Sequence, residues 1–175
     1  MKDGPPADDA YERVTNPERF RQLHRAADAL VARLETKYQL DRIDDAMPAE
    51  EGVIRQVQLV PVIGAPLVVR WTDFPGVRVR FGRWHEEAYP NCGCDACDED
   101  AEELVEDLEN EVEAAVAGQF TESVMSDPEG TWLTFEFTYP GGRKSGKQRL
   151  WEGDPRRDEP GAINWPAWPM RKVVE

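Results

Sequence analysis

The chain has 175 residues, 21 basic and 35 acidic, for a formal charge of −14, with 40% hydrophobic residues. That length suits a single domain, and the composition excludes a wholly disordered chain. The negative field disfavours binding driven by phosphate attraction, so nucleic acid is not an expected partner, and no apolar run approaches the ~20 residues of a membrane span. The opening Met1-Lys2-Asp3-Gly4-Pro5-Pro6 lacks the apolar stretch of a secretory signal, so the expected address is the cytoplasm.

Residues 1–13 are polar, with Pro5-Pro6 and Asp8-Asp9, and read as a flexible N-terminal arm. Residues 14–175 read as one α+β domain that includes a Pro/Trp-rich tail. A first helix is expected from a capping box, Thr15 with Glu18, with Pro17 in its first turn. Phe20, Leu23, Ala27, Leu30, Leu34 and Tyr38 recur at steps of three and four and give it one apolar stripe. The stretch 41–52 reads as a linker.

Three strand-like runs follow, around Val57 to Pro61, Leu67 to Trp71 and Val77 to Phe81. A three-residue turn at Phe74-Pro75-Gly76, with Gly76 left-handed, would set Trp71 opposite Val79 and Arg70 opposite Arg80. Arg70, Arg78 and Arg80 then share one sheet face. Like charges across a ladder are unfavourable, so this arginine strand is a candidate anion site; the alternative is pairing with carboxylates such as Glu86 and Glu87.

A loop holding all three cysteines comes next. Cys92, Cys94 and Cys97 lie within six residues, and His85, one of two histidines, stands just upstream. Four such ligands are the number a closed tetrahedral zinc site takes, with Asp95 or Asp98 as outer acceptors. The alternatives are a Cys92–Cys97 or Cys94–Cys97 disulfide, inert thiols, or a redox switch, the last disfavoured because dense carboxylates raise thiol pKa values.

From Asp95 to Glu113 there are eleven carboxylates and no Lys or Arg, so most of the charge is local. This segment reads as a second helix over about 100–117. Leu104, Leu108, Val112 and Ala115 form its stripe, Asp98 or Asp100 caps it and Gly118 ends it. Its acidic face is a candidate docking surface for a basic protein partner, the plainer alternative being a solvated face.

Leu133, Phe135, Phe137 and Tyr139 alternate with polar residues, and Pro140-Gly141-Gly142 turns this strand toward a partner ending at Leu150-Trp151. Gly141 to Lys147 matches the first part of a phosphate-binding loop, but Gln148 stands where a hydroxyl is required and no helix pattern follows. The tail from Gly153 reads as irregular, laying Trp165 and Trp168 over the core.

The expected fold is therefore an antiparallel sheet of about five strands with two main helices packed on one face. No catalytic motif is recognised. The leading expectation for function is a non-enzymatic binding or regulatory module with a structural zinc; the alternatives are an enzyme or anion-binding protein near the arginine strand, and a metal or thiol-redox handling protein.

Three strings, Cys92-Gly93-Cys94-Asp95-Ala96-Cys97-Asp98-Glu99, Tyr11 to Phe20, and Phe81-Gly82-Arg83-Trp84-His85, resemble a family of small bacterial proteins known only as a domain of unknown function. The similarity runs over about 11–170, including Ile163 to Pro169, and 16 Arg against 5 Lys suits a high-GC source. It implies membership and brings no activity, cofactor or catalytic residue.

Overall fold

The computed structural model describes residues 8–172. Of the expected N-terminal arm, residues 1–7 lie outside the described residues, while Asp8–Tyr11 form a 3-10 turn. Pro17–Phe20 make a second such turn, leading directly into helix α1, Arg21–Lys37. The expected capping box does not form. Thr15 gives its backbone N–H and its hydroxyl to Asp95, both at 2.6 Å, and Asn16, left-handed at φ 54°, makes the corner instead.

Strand β1, Leu40–Asp45, follows at once, so part of the expected linker is strand. With β2 (Val53–Pro61), β3 (Leu67–Thr72), β4 (Val77–Phe81) and β5 (His85–Tyr89) it forms an antiparallel five-stranded sheet in sequential order. The β3–β4 register differs from expectation by two residues: Trp71 faces Val77, Val69 faces Val79 and Arg70 faces Arg78. The turn keeps three residues but moves one position back, to Asp73-Phe74-Pro75, because Thr72 N–H donates to Gly76 O at 3.1 Å and its hydroxyl bonds the Phe74 carbonyl at 2.6 Å. Gly76 is not left-handed; a Cβ there would lie 2.8 Å from the Tyr89 carbonyl, so close approach is its requirement. A two-residue shift preserves faces, and the arginines still share one side.

Helix α2, Ala101–Val116, lies beside α1 on the other side of this sheet. Asp100 caps it, accepting from the N–H groups of Glu102 (2.8 Å) and Glu103 (3.1 Å), and left-handed Gly118 follows its end. The side chains of Leu30, Leu34, Val57, Leu59, Leu67, Val79, Leu108 and Val112 meet between helices and sheet as the main core. Each fully buried aliphatic or aromatic side chain contributes roughly 1.5–3 kcal/mol.

A second antiparallel sheet lies beyond the expected one, built from β6 (Phe120–Asp127), β7 (Gly130–Tyr139), β8 (Gly142–Leu150) and β9 (Gly161–Trp165) in the order β8-β7-β6-β9. β7 and β8 match expectation as strands but belong to this sheet and not to that of β2, β3 and β4, and β6 and β9 were not foreseen. Phe120 and Phe137 stack at 4.5 Å between ring centres and join this sheet to Phe81 of the first. Trp168 is buried and donates its indole N–H to Ala65 O at 2.9 Å; half-buried Trp165 donates to Glu122 at 2.9 Å.

Candidate functional site

The cysteine loop begins where β5 ends in a cis Tyr89–Pro90 peptide. Its backbone is held by side chains on both flanks. Glu99 accepts the N–H groups of Asn91 (2.9 Å), Cys92 (3.1 Å) and Gly93 (2.7 Å). Gly93 has φ 76°, and a Cβ there would lie 2.7 Å from the Phe74 ring, so both backbone and space require glycine. Asp95 receives Thr15 and the Arg13 guanidinium (3.0 Å), while its own N–H donates to Arg13 O at 2.9 Å. Ala96 N–H donates to Ala10 O at 3.1 Å, which seats residues 10–15 against the loop.

Within this frame the sulfurs of Cys92, Cys94 and Cys97 all lie within 4.8 Å of one another. Cys94 is buried; Cys92 and Cys97 are exposed, and all three are free thiols. The Cys92 thiol donates to Cys94 Sγ at 3.0 Å. That bond, followed by the Cys97 backbone N–H, lowers the Cys94 pKa, while hydrogen bonding to Cys94 and Cys92 pushes Cys97 up to about 12. The shifts of Cys94 and Cys97 come from the neighbouring sulfurs and backbone and not from the expected carboxylates; Asp95 and Glu99 are directed at Thr15, Arg13 and backbone N–H groups. Soft sulfur donors at this separation suit a thiophilic metal ion.

His85 is not in this cluster. It faces the second sheet from β5, 3% exposed, with its ring stacked on Phe135 at 3.6 Å between centres. Its backbone N–H donates to Glu122, and its Nε2 lies 2.9 Å from Glu87 Oε2 without the alignment of a hydrogen bond. The alternation of β5, invisible in His-Glu-Glu-Ala-Tyr, turns it inward.

The arginine strand is met from within. Glu50 reaches Arg78 at 2.6 Å and Arg70 at 3.4 Å, and Glu86 reaches Arg70 at 2.7 Å. Arg80 lies on the same face, its Nε buried without a hydrogen-bond partner among the described residues. A hollow of about 250 Å³ opens beside Arg78 against Phe74, Tyr89 and Pro90; Arg78, its only lining cation, is the one Glu50 already occupies.

Sequence reasoning missed a polar chain between the two sheets. Tyr89 donates its hydroxyl to Glu111, Glu111 accepts from Lys144 at 2.7 Å, and Lys144 also reaches Glu87 at 2.8 Å. Burial raises the Glu111 pKa against the pull of Lys144 and Tyr89. For Glu87 burial also pushes up, but the proximity of His85 and the hydrogen bond from Lys144 prevail and hold it low. The available signal was positional: Glu111 stands three residues after Leu108, on the apolar stripe of α2.

No curated protein and no solved structure matches the chain. The profile of a family of unknown function (DUF6226) matches residues 1–172, nearly the whole sequence, and the chain belongs to that family.

Proposed function

We propose that the chain is a non-enzymatic binding module whose cysteine loop holds a structural zinc ion through Cys92, Cys94 and Cys97. The observation that carries this reading is the meeting of three sulfurs within 4.8 Å in a loop whose backbone is fixed independently of them. Tetrahedral zinc with bonds of about 2.3 Å sets its sulfurs ~3.8 Å apart, so small thiol rotations supply three of the four corners and solvent takes the fourth. The metal would fasten residues 10–15, through Asp95 and Ala96, to the start of α2. Exposed Glu102, Glu103, Glu106 and Asp107, which form no ion pair among the described residues, would be the face offered to a basic protein partner. A small anion at Arg70 or Arg78 would have to displace Glu50 or Glu86, which is why we place the binding role at α2.

The test is elemental analysis of protein purified without chelator. We expect about one zinc per chain, lost in both Cys94→Ser and the exposed Cys97→Ser, and a thiolate-to-metal absorption band when cobalt replaces zinc. Metal-free folded protein with three titratable thiols overturns the reading. So does a native Cys92–Cys94 disulfide detected as the loss of two hydrogens.

A further inference from the structure

β1 is an edge strand of the five-stranded sheet, and its side chains divide by parity. Arg42 reaches Glu35 of α1 at 2.7 Å on the helix side. Asp41, Ile43 and Asp45 take the opposite face, across from Val60, Gln58 and Gln56 of β2. There Ile43 and Val60 remain 52% and 38% exposed. The C-terminal segment covers the neighbouring edge but stops short: Gln39 N–H donates to Pro169 O, and Tyr38 bridges Met170. From Asp41 to Asp44 the backbone bonds only β2 among the described residues.

Charges on an edge strand ordinarily guard against uncontrolled pairing. Here the guards on the apolar face have one sign and enter no ion pair among the described residues. An antiparallel second copy centred on Ile43 would set Asp41 against Asp45 twice, which is unfavourable. A strand with cations at those two places and an aliphatic residue between them meets attraction at every position.

We infer that the free edge of β1 accepts, by strand addition, an extended segment of another protein in which basic and apolar residues alternate on one face. Backbone hydrogen bonds supply the attachment; Asp41, Ile43 and Asp45 select the side chains. This surface lies on the side of the sheet opposite α2 and needs no metal.

The probe is acetyl-Thr-Lys-Thr-Val-Thr-Lys-Thr-amide, titrated into the full chain and followed by amide NMR. Saturable shifts are expected at Leu40–Asp45, with affinity falling roughly tenfold in the Asp41→Lys/Asp45→Lys variant. The same peptide with Glu for Lys should bind that variant instead. Spectra outside β1 and β2 report whether the variant is folded. Shifts confined to α2, binding indifferent to the reversal, or no binding at millimolar peptide overturns the proposal. A self-association abolished by the reversal also overturns it, assigning the edge to a second copy.

Discussion

Glu122 is a carboxylate 2% exposed that takes part in no ion pair among the described residues. Four N–H groups compensate it: Arg83 at 2.6 Å, and Trp84, His85 and the Trp165 indole at 2.9 Å each. One side chain of β6 thus fixes the β4–β5 turn and receives the end of β9. Removing it orphans four donors at once, and a buried unsatisfied donor costs about 1–3 kcal/mol. Glu122→Ala should lose about 4 kcal/mol in urea unfolding. Glu122→Gln should lose about 2, because its amide NH2 faces two of the same donors. A loss in Glu122→Gln too small to measure would mean water satisfies the turn instead. The one signal in Phe-Thr-Glu-Ser-Val is parity: Glu122 stands two residues from Phe120 and from Val124, on their face of β6. His85 misled for a related reason: proximity to the cysteines in sequence implied a shared ligand set, while strand parity directs the imidazole elsewhere.

Elements were legible where burial is apolar. Leu133, Phe135, Phe137 and Tyr139 mark β7, and both helices follow their stripes. β5 escaped because its inward positions are His85, Glu87 and Tyr89, which bury by pairing. β1 escaped because Arg42 and Asp44 pair along its helix side. The position of the α2 cap was open between two aspartates, and the geometry separates them. Asp100 accepts two N–H groups, whereas Asp98, left-handed at φ 47°, lies outside the helix. Asp100→Ala should therefore lose about 1 kcal/mol and speed amide exchange at Glu102 and Glu103. Asp98→Ala should leave that exchange unchanged. Equal effects on it from both variants would place the first turn under the control of the loop rather than the cap.

At the scale of the molecule, the two sheets and α2 converge on Lys144, whose partners come from β5 and α2. Burial alone would depress its ammonium, but hydrogen bonds to Glu111 and Glu87 more than reverse this and raise its pKa. Burial, then the charge of Glu111, raises Tyr89 well above the ordinary phenol. Both groups bind protons more tightly folded than unfolded. Their contribution to stability is complete below the unfolded values of about 10, and is lost as pH rises through the folded ones. The carboxylates oppose each other: raised Glu111 favours the fold toward acid, whereas lowered Glu87 loses its contribution as pH falls through its folded value. Stability should thus decline steeply above pH ~10 and only gently near pH ~4, and Tyr89→Phe should flatten the alkaline limb. Lys144→Met tests the same chain from its centre. Breaking a fully buried pair costs about 3–5 kcal/mol; the partial exposure of this ammonium reduces that to about 2. Because the loss leaves two carboxylates facing one another, part of it should return on acidification as Glu111, already raised by burial, takes a proton. A Lys144→Met deficit that stays constant from pH 8 to pH 5 would show that the lysine acts through its hydrocarbon stem rather than through its charge.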